Sequence, residues 1–452
     1  MKRKTGSLIL FLSKAVLLFA VVALFFVVAN HFYTESLFYR WGNVLVIMLY
    51  TASLYLISRI YNGFNFGNAN LQEIVLSWVL CLLGANIFMY FILSLFVEEL
   101  IPVLGFGIIL FSQIAFVIPM SIFINRLYYR QNPAHKAVII YGNKEKLDEY
   151  CSLIMMQSNR FRVDHIVSQD ESTGKLLDIV DRAESVFFLD VDEKKKDWLF
   201  EYCYLHNKHA YIMPTFSSIL LNTASTLWLS NTPLFSLKTP EPDLGTQAMK
   251  RLMDIMISLT GIILSSLIMI IVAIAVRLYD GHPAIYKQVR VTRGGRLFTL
   301  YKFRSMRPNA EEDGVARLTA MGDNRITPVG RIIRKTRIDE LPQLFNVLSG
   351  SMSIVGPRPE RPEIAEQYEE IYPNFAFRTK VKAGITGFAQ IYGRYNTSPE
   401  EKLFLDIMYI ETFSILEDIR LILQTVKVLF QGASTEGVDD GLTTALWDRD
   451  EE

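Results

Sequence analysis

Cysteine is scarce in this chain. Cys81, Cys151 and Cys203 are the only three in 452 residues. One lies in an apolar run and the other two share no metal-ligand spacing, which speaks against a disulfide framework and a zinc site. A charge excess is also missing, since 46 Lys and Arg stand against 46 Asp and Glu. Balanced charge points to no nucleic-acid partner. The His residues are scattered, and none forms a metal-spaced pair. The first apolar run is too long for a signal peptide and lacks a small-residue cleavage site.

Apolar sequence, by contrast, is abundant and clustered. Four runs are roughly Leu8 to Ala29, Asn43 to Tyr61, Ile74 to Val97 and Ile101 to Ile124. Each can cross a bilayer, which takes about 20 residues. Lys2, Arg3 and Lys4 precede the first run, Glu98 and Glu99 sit between the third and fourth, and Arg126, Arg130 and Lys136 follow the last. The positive-inside rule then predicts a four-helix transmembrane region over 1–130 with both ends in the cytoplasm. The runs read as free of ionisable residues well inside, which favours an anchor or dimerising bundle over a transport path.

Residues 131–235 read as a cytoplasmic α/β Rossmann-like domain. "KAVIIYG", "FRVDHIV", "ESVFFLDVD" and "HAYIMP" have strand character, with helical stretches between them. That alternation predicts a parallel sheet. The first turn, "YGNKEK", lacks the later glycines that let a backbone approach a pyrophosphate, so the nucleotide site is expected to be degenerate. Asp190 and Asp192 form a D-x-D after a strand. Such a pair can hold a metal and a nucleotide-sugar pyrophosphate, although two acids beside "EKKK" are more often simply solvated.

A fifth apolar run, within 251–277, poses a topological problem. Crossing would carry everything after it outside the cell. Yet Lys250 and Arg251 precede it, and eight Lys and Arg against Asp280 occupy Arg277 to Arg307. Both ends therefore read as cytoplasmic, and the segment is expected to be re-entrant or interfacial. A re-entrant helix needs a break, for which Gly261, Ser265 and Ser266 are the candidates. A domain held this way would sit at the depth of lipid headgroups.

The chain then becomes dense in phosphate-binding chemistry. "KQVRVTRGGRLFTLYKFRSMR" interleaves cations with a Gly-Gly turn, and "RIIRKTRIDELPQLFNVLSG" brings Asp339 and Glu340 beside three Arg and a Lys. Asp339 reads as the N-cap of a helix running to about Ser349, with Pro342 in its first turn and Gly350 past its end. Capping alone does not explain the company. Arg334, Arg337 and Arg358 can each fork onto phosphate oxygens. Adjacent helical residues point about 100° apart, so the two acids should have different jobs. One can attack phosphorus while the other meets a hard ion such as Mg²⁺. The setting suits phosphoryl transfer.

Five blocks carry a resemblance: "KRLMDIMIS", "YKQVRVTRGGRLFTLYKFRSM", "DNRITPVGRIIRKTRIDELPQLFNVLSGSMSIVGPRPE", "AGITGFAQIYGR" and "YIETFSILEDIRLILQTV". Together they resemble the catalytic domain of the bacterial sugar transferases, the polyprenyl-phosphate hexose-1-phosphate transferases. The whole arrangement is similar to the large form of that family. The resemblance implies an α+β catalytic domain over 236–432 carrying the re-entrant helix, and the acidic composition after Gly432 predicts a mobile tail at 433–452. It implies Asp339 as nucleophile, Glu340 as Mg²⁺ ligand, and Arg358 on the phosphate with Lys302, Arg304, Arg334 and Gln343 around it. The implied reaction moves a hexose-1-phosphate from a UDP-sugar, with UDP-glucose or UDP-galactose favoured, to undecaprenyl phosphate with release of UMP. It would start exopolysaccharide, capsule or O-antigen synthesis at the cytoplasmic face of a bacterial inner membrane, among membrane lipids. A homodimer is plausible. Three positions depart from the pattern. Ser266 follows Ser265 where proline is usual, Ala383 replaces a proline, and Arg337 stands where a small or polar residue is common. A D-x-D glycosyltransferase and a non-catalytic scaffold of polysaccharide assembly are the alternatives.

Overall fold

The computed structural model describes residues 2–33, 41–144, 147–237, 243–307, 323–393 and 397–430. The tail expected at 433–452 lies outside them. The chain divides into two units, Met1–Pro214 and Thr215–Glu452.

In the first unit the apolar runs become α1 (Lys2–Phe32), α2 (Trp41–Ile60), α3 (Leu71–Val97) and α4 (Val103–Gln131). All four are long and apolar enough to cross a membrane. Tyr33, after α1, donates to the Pro102 carbonyl ahead of α4 at 2.5 Å. Trp78 of α3 donates to the Gly63 carbonyl after α2 at 2.8 Å. These ties fit an antiparallel bundle. Its centre holds a polar cluster that the apolar pattern conceals. Gln113 of α4 donates to the Tyr50 hydroxyl of α2 at 2.8 Å and to the Val21 carbonyl of α1 at 3.1 Å, while Asn86 of α3 donates to Gln113 Oε1 at 2.8 Å. Polar groups in an apolar medium are costly unless paired, so this four-helix network favours one helix register. Lys14 lies deeper than the sequence reading allowed. Its ammonium sits over the Phe66 ring, 5.8 Å from the centroid, as a long cation reaching back toward the bundle's end.

After α4 come β1 (His135–Tyr141), α5 (Leu147–Met155), β2 (Phe161–Ser168), α6 (Thr173–Arg182), β3 (Ser185–Leu189), α7 (Glu193–Leu205) and β4 (His209–Ile212). The sheet is parallel, in the order β2-β1-β3-β4. Ligands of such sheets bind where the order reverses, here beyond β1 and β3. That crevice is filled by the chain itself. Gly142 N–H donates to the Leu189 carbonyl at 3.0 Å. A Cβ at 142 would collide with the Asp190 carbonyl oxygen, so only glycine permits this approach. Gln169 closes the gap by accepting from Asp192 N–H at 2.8 Å. Asp192 itself is the residue ahead of α7, and Asp190 has φ of 50°. No group of three or more His, Cys, Asp or Glu able to hold a metal occurs among the described residues.

The second unit begins earlier than the boundary at 235 read from sequence. Its first elements are α8 (Phe216–Asn222) and an exposed antiparallel hairpin, β5 (Ser225–Leu229) and β6 (Thr232–Ser236). Ile219 of α8 is buried in the core of this unit, Phe216 stacks on Phe377, and Thr223 donates to Glu411 at 3.0 Å. Then follow α9 (Leu244–Asp280), β7 (Ile285–Val291), β8 (Leu297–Phe303), α10 (Pro328–Lys335), α11 (Gln343–Ser349), β9 (Ser353–Val355), α12 (Pro362–Ile371), β10 (Gly384–Thr386), α13 (Phe388–Tyr392), α14 (Pro399–Glu411) and α15 (Ile415–Leu429).

The long helix α9 corrects one expectation. The break foreseen at Ser265 and Ser266 does not interrupt it. Each hydroxyl folds back onto an earlier carbonyl, Ser265 onto Gly261 at 2.6 Å and Ser266 onto Ile263 at 2.8 Å, and the helix continues through both. Gly261 instead serves a close crossing, because a Cβ there would lie 3.1 Å from Leu344 of α11. Both ends of α9 are held by the same unit. At the first end Lys250 pairs with Asp418 at 2.6 Å, Arg251 donates to the Val347 and Leu348 carbonyls, and Asp254 accepts from Ile354 N–H at 3.0 Å. At the other end Val272 and Val276 are buried with Phe303 and Ile333. Between them Ile263, Leu264, Leu267 and Ile271 face outward, each more than half exposed.

Candidate active site

The local geometry around Asp339 differs from a helix cap. Residues Ile338–Glu340 form a single 3₁₀ turn, entered through Arg337 at φ of 57°, and α11 starts only at Gln343. Gly350 does end α11 in the left-handed region, at φ of 90°. Asp339 is 9% exposed, and its Oδ1 has no hydrogen-bond partner. A buried carboxylate that caps nothing is costly, and such costs concentrate at functional sites. Burial, and then the negative Glu340, push the Asp339 carboxyl up to about 6, although Lys302, Arg334 and Arg337 pull the other way.

Glu340 has the opposite environment. Its Oε1 lies 2.8 Å from Arg358, 3.4 Å from Lys302 and 3.8 Å from Arg337. Burial opposes its ionisation, but those three cations outweigh burial and hold it well below the usual carboxylate range. Glu340 in turn raises Arg358, whose side chain is 40% exposed and so reachable from outside. Lys302 is drawn down to about 8, chiefly by burial, with Glu340 working against that. Neighbouring acids with opposed pKa directions are assigned different roles by their surroundings.

Each member is placed by side chains whose importance the sequence reading missed. Asn346 of α11 accepts from Tyr301 N–H at 3.0 Å and donates to the Thr299 carbonyl at 2.7 Å, so α11 is pinned to the strand carrying Lys302. The Pro357–Glu360 turn leaves β9, which pairs in parallel with β10. Gly356 and Gly384 touch backbone to backbone there, and a Cβ on Gly384 would collide with Gly356. Arg290 donates to the Pro359 carbonyl at 3.1 Å, and Arg378 donates to the Arg358 carbonyl at 2.9 Å. Arg378 is itself buried and forked onto Asp406 Oδ2 at 2.6 and 3.0 Å. Asp406 carried no assigned chemistry in the sequence, and the visible signal was only an acid on an apolar helix face.

The remaining expected residues separate. Arg334 lies on α10, close enough to act on Asp339. Gln343 is buried as the first residue of α11. Arg304 uses its Nε on the Pro283 carbonyl at 3.1 Å, fastening the chain just after α9. Ser265 and Ser266 lie within α9, and Asp190 and Asp192 belong to the other unit.

The second unit thus combines a membrane-length apolar helix with a buried carboxylate set among clustered cations. The chain belongs to the bacterial sugar transferase family, whose description it matches over residues 245–432. It is 40% identical over 186 residues to the UDP-N-acetylgalactosamine-undecaprenyl-phosphate N-acetylgalactosaminephosphotransferase of Aeromonas hydrophila, covering 40% of this chain and 44% of that protein. It is 35% identical over 255 residues to the undecaprenyl-phosphate galactose phosphotransferase of Salmonella typhimurium, covering 53% of each. Against the UDP-glucose:undecaprenyl-phosphate glucose-1-phosphate transferase of Caulobacter vibrioides it is 38% identical over 196 residues, covering 42% of this chain and 73% of that protein. The chain thus spans about half the length of the first two.

Proposed function

We propose that the protein transfers a hexose-1-phosphate from a UDP-sugar to undecaprenyl phosphate, releases UMP, and so starts the assembly of a surface polysaccharide. The observation that carries this reading is Asp339 Oδ1, buried without a hydrogen-bond partner beside a Glu340 held by three cations. Deprotonated Asp339 attacks the sugar-bearing phosphorus, the bond to UMP breaks, and UMP leaves with the electron pair. An oxygen of undecaprenyl phosphate then attacks the phosphorus of the aspartyl phospho-sugar. The bond to Asp339 breaks and its carboxylate is restored, which gives ping-pong kinetics. Arg358, fixed through its backbone by Arg378 and half-open to solvent, meets phosphate oxygens, with Lys302 and Arg334 beside it.

Mg²⁺ fits this donor set in company with substrate oxygens. Glu340 and Asp339 are hard oxygen donors, and one or two carboxylates completed by phosphates are a usual Mg²⁺ environment. Glu340 would hold the ion, which when bound supplies charge to offset the diphosphate. The relatives named above act on different sugars, so the shared segment supports the common transfer step and leaves the hexose open.

The unbroken course of α9, with both ends held, supports an interfacial placement. A helix spanning the bilayer would separate its ends by about 30 Å of hydrocarbon, whereas one folded unit packs on both ends of α9. With the flanking cations, this supports a catalytic unit on the cytoplasmic face of the inner membrane. The test is purified protein with Mg²⁺, a panel of UDP-sugars and undecaprenyl phosphate. UMP should be released, and a phospho-hexose should appear on Asp339 by mass spectrometry. Release of UDP, or an Asp339→Asn variant with full turnover, overturns the mechanism.

A further inference from the structure

A second cationic feature lies away from Asp339. Beside the turn joining β7 and β8 is a cleft of about 520 Å³, lined by Thr292, Arg293, Arg296, Leu297, Ser351 and Lys382 among others. Its frame is built. The Thr292 hydroxyl donates to the Ser351 carbonyl at 3.1 Å and accepts from Ala383 N–H at 3.2 Å, while Thr292 N–H donates to the Arg296 carbonyl at 2.8 Å. Gly294 and Gly295, at φ of 68° and 72°, turn the chain so that both arginines reach this one cleft.

The charge there is unmatched. No acid lines the cleft. Among the described residues Arg293, Arg296 and Lys382 form no ion pair, although Lys250, Arg358 and Arg378 of the same unit all do. Lys382 is held below the usual lysine range by burial and then by Arg251, with Arg293 and Lys250 adding to that and Asp254 opposing it. Converging cations in a concavity raise the local concentration of anions.

Position selects the anion. Leu297 and Lys302 stand at opposite ends of β8, five residues or roughly 17 Å apart. The cleft is therefore not where Asp339 meets its phosphate. Arg251 borders it, since a Cβ on Gly350 at the lip would lie 3.4 Å from the Arg251 guanidinium. Arg251 lies on α9 among the outward apolar residues Met249, Leu252 and Met256, each more than half exposed. The cleft thus opens near the level at which α9 enters an apolar medium, and Leu297 on its rim is 62% exposed.

We propose that this cleft binds the phosphodiester headgroup of an anionic phospholipid, with the rim at Leu297 toward the acyl chains. The inference rests on α9 lying in a bilayer and is independent of the reaction. The experiment uses the full chain in nanodiscs of phosphatidylcholine with or without phosphatidylglycerol, counting retained lipid by native mass spectrometry. The variant Arg293→Gln/Arg296→Gln/Lys382→Gln should retain phosphatidylglycerol about tenfold less well or worse, given the worth of each cation near an anionic surface. Arg293→Lys/Arg296→Lys/Lys382→Arg should keep most of it. Equal retention by the wild type and the Gln variant overturns the proposal, as does an equal loss in the charge-keeping variant. A parallel titration with inorganic pyrophosphate separates the sources. Pyrophosphate binding that the Gln variant loses, with lipid retention unchanged, assigns the cleft to a soluble anion and overturns the lipid assignment. No arm depends on UMP release.

Discussion

Asp339→Asn should make the catalytic unit more stable at neutral pH. Burial and the neighbouring Glu340 raise the Asp339 carboxyl from 3.8 to about 6. A group with a raised folded pKa contributes its stability fully below the unfolded value and loses it as pH rises through the folded value. At about pH 7.5 keeping the side chain ionised therefore costs the fold about 3 kcal/mol, and at about pH 4.5, where the folded carboxyl is protonated, taking up that proton still costs about 1 kcal/mol. Asparagine carries no charge to desolvate, so the variant escapes that cost. The chain has two compact units, so a single melting temperature is a poor measure. Amide hydrogen exchange resolved to β8, β9 and α14 reads the catalytic unit alone. Protection in the variant should exceed wild type by roughly 100-fold at about pH 7.5 and by roughly fivefold at about pH 4.5. Equal or weaker protection at neutral pH, or a gain that does not shrink in acid, would refute the reasoning that Asp339 is held ionised against its surroundings.

Other outcomes follow from the same contacts. Arg378→Met strands the Asp406 carboxylate and should destabilise the unit by about 3–5 kcal/mol. Adding Asp406→Leu should recover stability in denaturation but not the rate of UMP release, because Arg358 has lost its backbone anchor. Adduct formation on Asp339 should fall about tenfold per pH unit below about 6, since the attacking group must be deprotonated. Glu340→Gln should move that acid limb to lower pH in single-turnover assays, because it removes the adjacent negative charge. Asp190→Ala should leave UMP release unchanged, and a loss of activity would revive the D-x-D reading.

The legible parts of this protein were those written in local pattern. Four bilayer-length runs, four strand-like stretches alternating with helices, and a left-handed Gly350 after a short apolar helix all followed from periodicity and turn chemistry. The acid pair stood out because charge of both signs was concentrated within twenty residues. Pattern failed where a residue's purpose lies across the fold. Lys250 and Arg251 read as topology signals, yet they are tied to Asp418 and to the end of α11. Gln113 and Asn86 were lost in apolar runs because their partners sit on other helices. Ser265 and Ser266 suggested a break, but a hydroxyl that bonds back to its own helix can leave the ladder intact.

Sequence alone determined which groups are present: a membrane-length apolar supply, a parallel α/β segment, and a carboxylate pair amid arginines. These depend on residue type and spacing within a few turns of chain, which linear order preserves. Only the tertiary structure decided that Asp339 is buried and uncapped while Glu340 is neutralised. That division depends on Lys302 and Arg358, which arrive from elements 38 and 18 residues away. The difference between two adjacent acids is set by desolvation and by cations brought from afar, and neither exists until the chain has packed.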